Sequence, residues 1–406
     1  MELPNGWVVA DWSDLVVIVH GQNQREVENP AGVYPIYGSG GQIGRATKYL
    51  CKAGSTVVGR KGTIDRPFFT STDFWNIDTA FGITPNEGVL PKHLFMFCQH
   101  FNFKTLDHST GRPSLTQANL YKIRMPLPPL AEQHRIVAKI EALFSKLDKG
   151  VETLQTIRQQ LRTYRQSVLK WAFEGKDWER VTIERFLSKK AKPMATGPFG
   201  TMLKKSEHKA SGIPVLGIET IGRGVFLSGN KIFVTPEKAE YLESFVLREN
   251  DVIISRSGTV GELCLVPHYM DGALLSTNLM RVTLDESQIV PKYFVYLFLS
   301  KGVVIDQVKE LCKGSTRDFL NQTILKQIVF PLPSLEEQTA IVAAIESCLS
   351  VCDELGAIVD ESLAKSEALR QSILKKAFAG QLVPQDPNDE PADVLLERIR
   401  KVKVVK

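Results

Sequence analysis

A repeat at a fixed offset limits this chain more than any other feature. PLPPLAEQHRIVAKIE at 126–141 and PLPSLEEQTAIVAAIE at 331–346 lie 205 positions apart and agree at eleven of sixteen positions. At the same offset, without a gap, RQSVLKWAFEG at 165–175 aligns with RQSILKKAFAG at 370–380. A stretch of fifty residues that accepts substitutions but keeps its length behaves as one continuous helix, because an insertion would rotate its apolar stripe off the core.

The periodicity agrees. In the first copy Ile136, Leu143, Ile157, Tyr164 and Trp171 fall on a seven-residue series that only Gly150 interrupts. Ile140, Leu147, Leu154, Leu161 and Val168 form the companion series. This is an a/d seam, and it predicts a coiled-coil helix of roughly 40 residues and about 60 Å. The second copy places Ile341, Ile345, Cys348, Cys352, Leu355, Val359, Leu369 and Ile373 on the matching stripe, thinned by Ser362 and Ser366. Pro126 and Pro128, like Pro331 and Pro333, keep the preceding chain extended, Ser334 with Glu337 is a capping box, and Gly175 and Gly380 stand where the helices should stop. Segment 126–175 carries +3 and segment 331–380 carries −4, so the two should pair with each other, antiparallel.

Between the helices lie two looser relatives. LPNGW at 3–7 and GKDW at 175–178 open the halves. VVGRKGTI at 57–64 resembles IISRSGTV at 253–260, an apolar strand running into an Arg-x-Gly-Thr turn. Asp107–Thr110 matches Lys313–Thr316, each leading through Leu115 or Leu320 to the Pro-Leu-Pro signature. The expected fold is α+β: two mixed α/β domains, 1–125 and 176–330, separated by an antiparallel coiled coil of helical regions 126–175 and 331–380, with a pseudo-twofold repeat and a tail at 381–406 carrying a short helix. The second domain is about 34 residues longer, measured from Trp7 to Pro126 against Trp178 to Pro331.

These words, in this order over nearly the whole chain, resemble the specificity subunits, called HsdS, of type I restriction-modification systems. The strongest marks are Pro126–Gln133, its repeat Pro331–Gln338, and the ending AFAGQLVPQD at 377–386 with Asp389–Pro391 and Leu396–Arg398. YPIYGSGG at 34–41, FWNIDT at 74–79, GPFG at 197–200 and GTVG at 258–261 add to them. The resemblance implies two target-recognition domains, each reading one half of a split duplex DNA sequence. It also implies two long helices that fix the separation and dock two methylation subunits, with restriction subunits joining through the assembled complex. S-adenosylmethionine, ATP and magnesium would then belong to the partner subunits, with no cofactor in this chain.

No catalytic constellation is visible. Gly54–Gly59 has P-loop spacing, but Arg60 stands where the phosphate-binding Lys should be. Gly38–Gly44 misses the dinucleotide spacing and reads as a turn or DNA-facing loop. Seven scattered histidines match no metal spacing, and Cys348 with Cys352 sits on the helix seam as small core residues. Six cysteines without a CxxC pair and without a secretory signal favour a reducing cytoplasm over a disulfide framework, and no apolar run approaches a membrane span. The net charge of +5 fits a polyanion partner without requiring one.

Base reading needs Arg, Lys, Asn, Gln and hydroxyls at loop positions, and glycines where backbone approaches phosphate. In the first domain these criteria select Tyr37, Gly38, Ser39, Gly40, Arg60, Lys61 and Thr63. In the second they select Gly197, Phe199, Gly200, Lys204, Lys205, Arg256, Ser257, Thr277, Asn278, Lys313, Ser315 and Thr316. Lys189, Lys190 and Lys192 are either phosphate contacts or a solvated face. The rival readings are a coiled-coil adaptor whose domains bind a non-DNA ligand, and an enzyme whose site has no recognisable motif.

Overall fold

A computed structural model describes residues 3–190, 192–199, 202–256, 260–312 and 320–404. The chain forms two compact units, Met1–Gln155 with Asp360–Lys406, and Thr156–Val359. Two 44-residue helices, a first arm at Leu130–Phe173 and a second arm at Leu335–Phe378, each contribute one part to each unit. The second arm starts at the expected capping box: Glu337 N–H donates to Ser334 Oγ at 3.3 Å, and Ser334 N–H donates back to the Glu337 carboxylate at 3.1 Å. Gly175 and Gly380, at φ 70° and 69°, follow the two arms in the left-handed conformation that ends helices.

The arms pack antiparallel within each unit. In the first, Ile136 and Ile140 share a core with Ile373, Leu374, Ala377 and Phe378, and Asp148 pairs with Arg370. In the second, Val168, Leu169, Ala172 and Phe173 share a core with Val342 and Ile345, and Arg165 pairs with Asp353. The two ion pairs are the same pair repeated at the 205-residue offset.

The five-heptad seam does not hold along its whole length. Ile136, Ile140, Val168, Ile345, Cys352, Val359 and Ile373 are buried, whereas Tyr164, Trp171, Leu355 and Leu369 are 51%, 67%, 44% and 50% exposed. A straight α-helix drifts by about 20° per heptad against a 3.5 repeat. The last turns of each arm therefore bury a stripe shifted off the seam, which keeps Val168 and Ile373 but adds Leu169-Ala172-Phe173 in one and Leu374-Ala377-Phe378 in the other, packed in the domain cores.

In the first unit the strands are β1 (Val8–Asp11), β2 (Val16–His20), β3 (Tyr34–Gly38), β4 (Gly41–Ala46), β5 (Ser55–Gly59), β6 (Phe68–Thr70), β7 (Trp75–Asn76), β8 (Ala80–Pro85) and β9 (Arg124–Leu127). They make sheets ordered β2-β8-β5-β6 and β4-β3-β7, plus the pair β1-β9. In the second unit the strands are β10 (Arg180–Thr182), β11 (Met194–Thr196), β12 (Ile213–Leu216), β13 (Ile232–Val234), β14 (Val252–Ser255), β15 (Leu263–Leu265), β16 (Leu274–Leu275), β17 (Leu279–Val282) and β18 (Val329–Pro331). Their orders, β11-β17-β14-β15, β13-β12-β16 and β10-β18, are those of the first unit strand for strand. Even the parallel pairs match, β3 with β7 and β12 with β16. The internal repeat thus extends through both domains, although their sequences diverge.

The Pro-Leu-Pro-x-Leu-x-Glu-Gln motif acts in this framework as a clamp. Gln133 is fully buried; its Oε1 accepts Leu90 N–H at 2.9 Å, and its Nε2 donates to the carbonyls of Gly88 and Pro128, each at 3.2 Å. Gln338 repeats this with Val290 N–H at 2.7 Å and the carbonyls of Gln288 and Pro333 at 3.2 and 2.9 Å. Each clamp joins the start of an arm to a Pro-led helix, Pro91–His100 or Pro291–Leu299. The preceding carboxylates meet the opening tryptophans: Trp7 Nε1 donates to Glu132 at 2.9 Å, and Trp178 bonds Glu337.

The tail closes over the first unit. Arg135 holds Asp389 at 2.6 Å, and the helix Ala392–Val404 buries Leu395, Leu396 and Ile399 while Arg400 pairs with Asp14 at 2.8 Å.

Candidate nucleic-acid interface

In the first unit three segments converge on one corner. The β3–β4 hairpin turns at Ser39-Gly40, where Gly38 pairs with Gly41 and the left-handed φ of 119° at Gly41 requires a glycine. The end of β5 leads into Arg60–Thr63, and the segment before β8 supplies Asp78 and Thr79. Arg60 and Lys61 N–H both donate to Thr79 O, at 2.7 and 3.2 Å, and Ser39 N–H reaches Thr79 Oγ1 at 3.4 Å. Gly59 must be a glycine, since an added Cβ would stand 1.9 Å from Thr63 O and 3.1 Å from Ser39. A fourth segment seals the corner: Leu115 N–H donates to Arg60 O at 2.8 Å and Gly62 N–H to Pro113 O at 2.9 Å. Gly62, at φ 83°, lies under the Arg112 guanidinium. Asp107 shapes that segment by accepting from Ser109 and Ser114, and these bonds hold its carboxyl below the usual carboxylate range.

The seven residues selected in the first domain are therefore neighbours, with different freedom. Gly40 is exposed, and Ser39, Lys61 and Thr63 are half-buried. Arg60 is half-buried and donates from Nη1 to Asp78 O at 2.9 Å. The Tyr37 ring packs inward on Phe68 and Phe74 at 5.0 and 5.6 Å.

The second unit repeats the corner. Arg256 N–H donates to Asn278 O at 3.0 Å and Leu320 N–H to Arg256 O at 3.1 Å, the same two bonds that Arg60 makes with Thr79 and Leu115. Ser276 N–H donates to Leu216 O as Ile77 N–H does to Tyr37 O. Thr277 and Asn278 are exposed at the rim. Phe199 is 53% exposed, with the Arg256 guanidinium 5.4 Å from its ring centroid. Arg256 itself is buried; Nε faces Leu320 O at 3.4 Å and Nη1 faces Thr277 O at 3.5 Å, so it braces the corner from beneath.

Gly197 is not the structural counterpart of Gly38. An added Cβ at Gly197 would stand 1.8 Å from Ser276 O, as one at Gly21 would from Ile77 O, so Gly197 matches Gly21. The counterpart of Gly38 is Gly217, which follows the strand residue Leu216 that pairs with Leu275. Lys204 and Lys205 are exposed, on a short turn tied down by Lys238–Glu207 at 2.7 Å. Gly200, Ser257, Lys313, Ser315 and Thr316 lie outside the described residues. Lys190 and Lys192 line a pocket with Asp251, Asp285 and Glu286, so carboxylates balance their charge.

Sequence reasoning missed Gly21, Asp78, Thr79, Arg112 and Gly217. FWNIDT stands out along the chain as a word, and only the pairing of β3 with β7 reveals that it delivers Thr79 to the hairpin tip. The P-loop-like Gly54–Gly59 is mostly the buried strand β5. Among the described residues no group of three or more His, Cys, Asp or Glu could hold a metal ion, and no helix is long and apolar enough to cross a membrane.

The family model for the type I restriction modification DNA specificity domain matches residues 4–162 and, again, residues 176–357. The chain belongs to this family of DNA specificity subunits. The type I restriction enzyme EcoBI specificity subunit of Escherichia coli is 27% identical over 344 residues, covering 77% of this chain and 70% of the relative. The EcoDI specificity subunit, also of Escherichia coli, is 22% identical over 434 residues, covering 98% and 96%. A chain solved in work on complex assembly and conformational transition of the type I R-M system shares the fold at a TM-score of 0.74 and 20% identity, covering 94% of this chain and 100% of that one. The family match favours DNA target recognition over a non-DNA adaptor. Its two segments each span one of the two corners.

Proposed function

We propose that each corner reads one half of a bipartite duplex target, and that the chain supplies only this address to a complex whose chemistry resides elsewhere. The observation that carries the reading is the duplicated corner. One set of backbone hydrogen bonds is kept at Arg60 and Arg256, while the rim side chains change from Asp78 and Thr79 to Thr277 and Asn278. A constant scaffold with exchanged rim groups suits two different half-sites, since hydrogen-bonding side chains carry base discrimination and backbone donors position phosphates.

In this reading two methylation subunits dock on the helical arms and restriction subunits join the assembled complex. S-adenosylmethionine, ATP and magnesium sit on those partners, the chain itself catalyses nothing, and the complex works in the cytoplasm. Single-molecule methylation sequencing of host DNA tests it. The expected result is a two-part motif with a fixed unspecified spacer that disappears when this gene is deleted. A methylome unchanged by the deletion would refute it.

A further inference from the structure

A groove in the second unit, between the first arm and the helix Pro291–Leu299, has no need of its charge for folding. A cavity of about 520 Å³ is lined by Arg162, Arg165, Arg223 and Lys301, and no carboxylate lines it. A second cavity of about 450 Å³ shares Arg223, Leu299 and Lys301 and continues to Lys309, with Glu262 as its acidic lining residue. Asp353 neutralises Arg165 and Asp306 lies 3.9 Å from Lys309, but Arg162, Arg223 and Lys301 are exposed and make no ion pair among the described residues.

The walls are fixed. Ser300 Oγ donates to Leu169 O at 3.2 Å in a buried contact that locks the helix end to the arm. The turn carrying Arg223 lies flat on the helix: Gly224, at φ 81°, donates to Leu263 O at 2.9 Å, and an added Cβ there would meet Leu299 at 2.9 Å.

The repeat supplies an internal comparison. In the first unit the equivalent positions lie on the helix Pro91–His100 and the arms, where Met96, Gln99, Phe144 and Arg370 stand for Tyr296, Leu299, Leu349 and Arg165. Arg162 corresponds there to Glu367 and Lys301 to Phe101, so the fold alone does not demand the cations. Like charges in excess of the carboxylates around them destabilise the free protein and favour an anionic ligand. Two contiguous cavities suit a chain of phosphates better than a single anion.

We infer that this groove holds the phosphodiester backbone of duplex DNA, extending the footprint of the second domain onto the first arm. This rests on the DNA-reading function proposed above. The test uses the full chain and labelled duplexes carrying the methylated motif or a scrambled one, titrated with salt. For the combined variant Arg162→Gln, Arg223→Gln and Lys301→Gln, binding to both duplexes should weaken equally. The plot of log affinity against log salt should flatten by about 0.9 for each phosphate no longer neutralised, roughly 2.7 in all. Unchanged slope and affinity would overturn the inference. So would capture of a free nucleoside triphosphate that the variant abolishes while the duplex slope stays constant. Asn278→Ala separates the two levels: if it alters the preference between duplexes while the triple variant changes nothing, only the groove assignment fails. If the unaltered chain does not distinguish the duplexes, the DNA-reading function fails with it.

Discussion

Replacing Gln133 by Leu keeps side-chain volume nearly constant and removes a single hydrogen-bonding amide from a fully buried position. It leaves Leu90 N–H without its 2.9 Å acceptor, and the carbonyls of Gly88 and Pro128 are each deprived of a donor at 3.2 Å. An orphaned buried donor costs about 1–3 kcal/mol and each of the two missing neutral bonds about 0.5–1.5 kcal/mol, so the total is about 2–6 kcal/mol. For a unit of this size, at about 2–4 °C per kcal/mol, that corresponds to a fall in Tm of roughly 4–24 °C. Gln338→Leu removes the same three bonds in the second unit and should cost the same to within about 1 kcal/mol. Differential scanning calorimetry of the two single variants and the double variant measures both the size and the equality. A destabilisation below about 1 kcal/mol in either, less than the desolvation cost of one orphaned donor, would show that the repeated geometry of the motif is not what holds the arm to its domain. A change in base preference with unchanged stability would move the motif from scaffold to reader.

Other outcomes follow from the same geometry. His93 is fully buried with both ring nitrogens unpartnered, and burial pushes its pKa from 6.5 to about 3. The folded state thus requires the neutral ring, and its contribution is complete above pH 6.5 and lost as pH falls toward 3, at about 1.4 kcal/mol per unit. Tyr293 fills the twin position and donates to Pro331 O at 3.0 Å, so His93→Tyr should flatten the acid limb of a stability–pH curve between about pH 6.5 and 5; an unchanged limb would count against it. Gly21→Ala and Gly197→Ala each force a Cβ to 1.8 Å from a carbonyl, and each should abolish recognition of one half-site while leaving the other, read by footprinting on the two half-motifs. Arg256→Ala should lower the melting temperature as well as DNA affinity, because the guanidinium braces buried backbone, whereas Lys61→Ala, more open to solvent, should reduce affinity alone; equal thermal effects would contradict that division.

The local features are legible because local physics writes them. The arms, their stops at Gly175 and Gly380, and the capping box at Ser334 are set by periodicity and caps that act within a few residues. The 205-residue offset announces the pseudo-symmetry, and the ion pairs Asp148–Arg370 and Arg165–Asp353 realise it. A heptad count overestimates the seam at Tyr164 and Trp171 because it ignores where an arm leaves its partner for a domain. Neither the pairing of Arg60 with Thr79 nor the match of Gly217 to Gly38 can be read along the chain.

The sequence by itself determined that two related domains alternate with two long helices, since repetition and helical period survive in one dimension. Only the tertiary structure decided which loops share a corner, that Gln133 and Gln338 are clamps, and that Arg256 faces inward. Those outcomes depend on hydrogen bonds between residues far apart in the chain, whose partners are chosen by strand pairing and packing rather than by neighbouring residues.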